Sequence, residues 1–128
     1  MIQGYFGSKG ELFFEIELIA ADGSRIIVDA LLDTGFTDWL AIDTQDAESL
    51  GWRFQEQEES RTALGVATFN LYQGAVCLDD QEMKVPVVVG DGIPEILIGL
   101  PWLEDRRLVV DRIFSSFYSR VNLPVNIY

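Results

Sequence analysis

Asp33-Thr34-Gly35 sets a carboxylate, a hydroxyl and a glycine between two apolar runs, Val28 to Leu32 and Phe36 to Ile42. An aspartate flanked in this way is expected to be poorly solvated, and burial raises the cost of its charge. Thr34 offers a donor and an acceptor beside the carboxylate, and Gly35 removes the side chain where another backbone or a substrate approaches closely. Asp and Gly are also ordinary turn residues, so the triplet taken alone reads better as a plain turn. Other chemistry is excluded outright. The chain has no histidine, which removes Ser-His-Asp triads, Cys-His dyads and His-ligated zinc.

The rest of the composition narrows the setting. Cys77 is the single cysteine, so no intramolecular disulfide exists, and with no histidine beside it no structural metal cluster is expected. It reads as a small buried apolar residue. Nine basic against 21 acidic residues give a net charge of −12, which argues against nucleic acid and anionic membrane surfaces as partners. At 128 residues and 48% hydrophobic content the chain reads as one folded domain over residues 1–128. Met1 to Gly10 lacks the basic start and apolar stretch of a secretory signal, and no apolar run approaches the roughly 18 residues of a membrane span. A reducing, cytoplasmic location is the expectation.

Positioning Asp33 falls to a set of short strands. Leu12 to Ile19 alternates Leu12, Phe14, Ile16 and Leu18 against Glu15 and Glu17, and after the Asp22-Gly23-Ser24 turn Arg25 to Leu32 alternates again. The two runs predict an antiparallel hairpin that delivers Asp33 at its end. Asp43 to Leu50 is helix-compatible, with Gly51 as its stop. Gln55 to Ser60 is polar and acidic and reads as a solvated connector. Thr62 to Val76 and Cys77 to Val89 predict two further hairpins, with Pro86 at an edge or strand start. Glu95 to Leu100 is apolar, Pro101 opens a short helix ending near Arg107, and Leu108 to Asp111 is one more strand. Trp39, Trp52 and Trp102 are scattered over three elements and read as packing residues whose indole N–H groups need partners.

The order of these features resembles the retropepsin-like aspartic proteases, and most of all their small bacterial single-domain members. Members carry an apolar strand into Asp-Thr-Gly, then a flap hairpin, then two apolar residues and a glycine leading into a short helix. Here the matching segments are Leu31-Leu32-Asp33-Thr34-Gly35-Phe36, a glycine-containing hairpin around Gly65, Leu97-Ile98-Gly99, and Leu100 to Arg107. The resemblance covers residues 11–111. It implies a mainly β, acid-protease barrel with one mid-chain helix and one short late helix. It also implies that Asp33 is the catalytic carboxylate, that Thr34 bonds across to a partner's loop, that Gly35 is the close-approach position, and that Ile98 and Gly99 support the loop. Ala63, Leu64, Gly65 and Val66 would form the substrate-covering flap, with Gly74 as the second choice of tip. Phe36 departs from the retroviral pattern, where a small residue follows the triplet. Residues 112–128 lie beyond the resemblance and are expected to pack on the domain or on a partner.

The chemistry of that family needs two carboxylates sharing a proton, one acting as base on water while the other polarises the scissile carbonyl. Asp-Thr-Gly occurs once; Asp43-Thr44-Gln45, the nearest imitation, lacks the glycine and opens a helix. The second carboxylate is therefore expected from a second copy of Asp33 across a twofold axis, giving a homodimer that cleaves extended peptides and needs no metal or organic cofactor. Two other readings stand beside the endopeptidase. The fold could serve as a noncatalytic dimerisation or peptide-binding module. An unrelated small β-barrel holding a small ligand would be a monomer with a closed apolar pocket.

Overall fold

The structure is a computed structural model that describes residues 1–112 and 125–128. Ten strands, β1 (Ile2–Phe6), β2 (Leu12–Ile19), β3 (Arg25–Leu32), β4 (Leu40–Asp43), β5 (Arg53–Thr62), β6 (Gly65–Leu78), β7 (Gln81–Gly90), β8 (Leu97–Ile98), β9 (Leu108–Val110) and β10 (Val125–Ile127), form one hydrogen-bonded sheet. Among the described residues a single helix, α1 (Thr44–Ser49), and a 3-10 turn at Leu100–Leu103 complete the elements. The strand order is β5-β6-β7-β4-β8-β3-β2-β1-β10-β9, and an additional pairing of β6 with β2 closes the middle six strands into a barrel. The architecture is thus the mainly β barrel expected, with one mid-chain helix and one short late helical turn.

The hairpin β2–β3 forms as its alternation predicts, with Phe14 opposite Ala30 and Ile16 opposite Val28. Phe14, Ile16 and Leu18 are buried while Glu15 is exposed, which is the period-2 division of a strand with one wet face. The inner side chains join Leu40, Ile42, Val76, Val85, Val87, Val89 and Ile98 in one core. Cys77 is buried and unbridged. Asp43 caps α1 by accepting a hydrogen bond from the Gln45 amide, and Gly51 follows the helix at φ +72°, a backbone setting that suits glycine. The Trp52 indole N–H donates to the Ile19 carbonyl at 2.8 Å, and that of Trp102 to the Trp39 carbonyl at 2.7 Å.

Several expectations are corrected. Gln55–Ser60 is no connector: it lies within β5, paired along its length with β6. The side chains of Gln55–Glu59 are exposed on both faces and carry no alternation, while the backbone ladder holds the strand. The two hairpins after Thr62 share a single long strand, β6, which turns at Asp79-Asp80 into β7. Apolar residues beginning at Phe36 enter the sheet only at Leu40, and the late helix is one 3-10 turn instead of a helix to Arg107. Pro86 sits inside β7, one residue before that strand begins to pair with β4 at Val87. Residues Ile2–Phe6, without a strand expectation, form β1 between β2 and β10. Val125–Ile127 is buried between β1 and β9, so this part of the C-terminal segment packs on the barrel. The remainder of that segment, 113–124, lies outside the described residues.

Candidate active site

β3 runs parallel to β8, with Leu31 beside Leu97 and Leu32 beside Ile98, and β4 flanks β8 on its other edge, with Leu40 opposite Ile98. Asp33 is the first residue past β3, and its amide still donates to the Ile98 carbonyl at 3.0 Å, continuing the ladder by one rung. The chain then turns sharply. The Gly35 amide donates to Asp33 Oδ1 at 2.8 Å, and the Phe36 amide to the Asp33 carbonyl at 3.0 Å. One carboxylate oxygen is thereby held in the loop, which fixes the orientation of the other.

The glycines explain how tightly the loop is built. A Cβ on Gly35 would come within 3.2 Å of Asp33 Oδ1, a crowded approach to the held oxygen. Gly99 is tighter still: its Cβ would overlap the Asp38 carbonyl oxygen and lie 2.5 Å from that of Phe36. Only glycine lets β8 pass under the loop. Backbone bonds then lock the two together, from the Leu100 amide to the Phe36 carbonyl at 3.0 Å and from the Gly99 amide to the Trp39 carbonyl at 3.4 Å. Trp102, edge-on to Trp39 at 5.0 Å between ring centroids, donates to the same Trp39 carbonyl. The bulk of Phe36 is accommodated because Gly99 has no side chain, and its Cδ2 lies 2.9 Å from where that Cβ would be.

Asp33, Thr34 and Gly35 are all exposed in the single chain. This corrects the expectation of a poorly solvated aspartate: Leu32 before it and Leu40 after it are buried, and the triplet sits between them, beyond the end of β3. The flap candidates lie on a separate unit. β5 and β6 meet at a two-residue turn, Ala63-Leu64, with Gly65 at φ +124° and paired with Thr62. Ala63, Leu64, Gly65 and Val66 are exposed, Leu64 completely. Gly74 is no tip. It lies within β6, where a Cβ would come 2.5 Å from Val87 Cγ2 and 3.0 Å from the Trp52 ring.

This barrel, with a strand-end aspartate loop and a projecting hairpin, has counterparts among solved structures. A retropepsin-like aspartic protease from Rickettsia conorii matches with a TM-score of 0.57 and 22% identity, over 87% of this chain and 83% of that one. The EIAV protease, complexed with the inhibitor HBY-793, matches with a TM-score of 0.55 and 16% identity, over 78% of this chain and 91% of that one. The fold is retropepsin-like. No family model and no curated protein sequence matches the chain.

Within the retropepsin-like barrel the residues singled out from the sequence fall into two groups. Asp33, Gly35, Ile98 and Gly99 form one hydrogen-bonded unit with Thr34 at its exposed edge, while Ala63 to Val66 crown the β5–β6 hairpin. The supporting carbonyls of Phe36 and Trp39 were not foreseen, because any residue type supplies a carbonyl. The one side-chain clue is Trp102, whose indole needs an acceptor. Among the described residues no His, Cys, Asp or Glu cluster could hold a metal ion, and no helix is long and apolar enough to cross a membrane.

Proposed function

We propose that the protein is an aspartic endopeptidase that works as a homodimer, with Asp33 from each copy forming one catalytic pair. The observation that carries this reading is the Asp33 loop. One carboxylate oxygen is held by the Gly35 amide while the residue itself stays exposed, as a carboxylate must be if its partner arrives from a second chain. In the pair, one carboxylate takes a proton from the attacking water while the other, protonated, polarises the scissile carbonyl. Thr34, exposed beside Asp33, would bond across the twofold axis. The β5–β6 hairpin would close over an extended peptide, its tip from Ala63 to Val66 supplying main-chain groups for strand-like hydrogen bonds. The single free, buried cysteine suits a reducing compartment such as the cytoplasm.

Incubation with a mixed peptide library, read by mass spectrometry over several pH values, tests the reading with Asp33→Asn as control. Discrete cleavage sites lost in the variant are expected. Dimer formation and peptide retention without cleavage would instead establish the noncatalytic binding module, and a monomer at all concentrations would sink both.

A further inference from the structure

An apolar cavity remote from the Asp33 loop lies at the base of the β5–β6 hairpin, with a volume of about 570 Å³. Its apolar lining includes Ile19, Ala21, Trp52, Ala75 and Met83. The Trp52 ring is fixed in this wall by the bond from its indole N–H to the Ile19 carbonyl. This volume is in the range of small-molecule sites.

Charge at the rim says what kind of molecule suits it. Arg53 stands opposite Gln73 on β5, and Lys84 stands opposite Ala75 on β7, so the two cations flank the same stretch of β6 from its two sides. Their strands are two spacings apart, about 10 Å, a gap that two long side chains converging on one ligand can span. Both residues are exposed, both line the cavity, and among the described residues neither has an ion-pair partner. The one carboxylate of the lining, Glu82, is engaged by Arg25, which also bonds Glu17 at 3.0 Å. In a chain of net charge −12 with nine basic residues, two unpaired cations on one apolar cavity form a local reversal of sign.

We propose that this cavity binds a small amphipathic anion, an apolar ring or short alkyl chain against the apolar lining with its carboxylate or equivalent acid group between Arg53 and Lys84. The site shares no residue with the Asp33 loop and does not depend on the peptidase reading. A cationic or neutral ligand of the same shape would lose the two charge-assisted contacts. Any anion that binds does so against the repulsion of the whole chain, so its affinity reports the two rim cations directly.

The test is a fluorescence titration of the wild-type protein with 8-anilinonaphthalene-1-sulfonate, followed by displacement with octanoate or octylammonium. One saturable site is expected, with octanoate displacing the dye at least about tenfold more effectively than octylammonium, the effect of a charge-assisted contact. The exposed double variant R53E/K84E should weaken dye binding by at least about tenfold with an unchanged far-ultraviolet circular dichroism spectrum. Non-saturable binding, equal displacement by the two octyl compounds, or undiminished affinity in R53E/K84E would each overturn the proposal. The wild-type displacement arm decides the matter even if the double variant folds poorly.

Discussion

The amide of Asp33 donates to the carbonyl of Ile98 at 3.0 Å, joining two segments far apart in the chain at the point where the aspartate leaves the sheet. Because the bond is the last rung of the parallel β3–β8 ladder, the carboxylate is aimed by a strand pair and not by a loose loop. A group placed in this way can keep its geometry while exposed to solvent.

Replacing Asp33 with Asn leaves the shape of the loop nearly unchanged, since the side-chain oxygen can still accept from Gly35. The amide cannot take a proton from water. Loss of peptide cleavage by at least about a hundredfold is expected, with the folded structure retained, on the scale of general-base contributions. Initial rates on one defined peptide check it; activity within about tenfold of wild type would count against Asp33 as the base.

Gly99→Ala tests the buttress. Its Cβ would strike the carbonyl oxygens of Phe36 and Asp38, which are backbone and cannot swing aside. A loss of about 1–3 kcal/mol or more is expected in urea unfolding, as for other overpacked interiors. Gly92→Ala is a useful comparison: nothing lies within 4 Å of its added Cβ, so its cost comes only from a φ of +76°.

Thr34→Val removes the hydroxyl proposed to cross the dimer axis while keeping its size. Losing one buried hydrogen bond at each of two symmetric sites should cost association about 1–3 kcal/mol apiece. Sedimentation equilibrium measures it, and an unchanged dissociation constant would remove Thr34 from the interface.

Peptidase activity is expected to peak on the acid side of neutrality. The proposed mechanism needs one carboxylate of its pair protonated to polarise the scissile carbonyl, a state that acid favours. Each chain also carries −12, so a dimer at −24 repels itself, and added salt should raise the dimer fraction near neutral pH by screening. Cleavage of one peptide from pH 3 to 8 at low and high salt, with the dimer fraction alongside, checks both effects. A flat profile with a constant dimer fraction would leave neither standing.

Asp22 gives a local pH signature in the β2–β3 turn. Its carboxylate accepts from the Ser24 hydroxyl at 2.5 Å and from the Ser24 amide at 2.9 Å, and the first of these contributes most to holding its pKa below the usual aspartate value. A lowered folded-state pKa means the turn is favoured above the unfolded aspartate's pKa, and that favour fades as pH falls through the folded value. Ser24→Ala should move the Asp22 titration upward in a carbon-detected NMR series, whereas an unmoved titration would contradict the hydroxyl's role.

Much of the architecture follows from sequence because its causes are local. The β2–β3 alternation sets which side chains face inward, and Asp43 and Gly51 mark the two ends of α1 through capping chemistry, whereas the matching of Asp33-Thr34-Gly35 with Leu97-Ile98-Gly99 as two segments of one unit rests on the family resemblance. Gly65 could be preferred over Gly74 as hairpin tip, yet only the packing of Gly74 against Val87 and Trp52 gives the physical reason.

What the tertiary structure alone decided are the features whose energy comes from partners distant in sequence. β5 is a strand because β6 pairs with its backbone, although residues Gln55–Glu59 are polar on both faces; β1 exists because β2 and β10 offer it edges on either side. The exposure of Asp33 was likewise invisible to a reading of its apolar flanks. Leu32 and Leu40 on either side are buried by the barrel, whereas Asp33 stands one residue past the last pair of β3 with β8, and where a strand ends relative to its neighbours is settled by register. Side-chain type and spacing therefore determined the chemistry available to this protein, while its solvent exposure and support were decided by backbone pairing, which every residue type can supply.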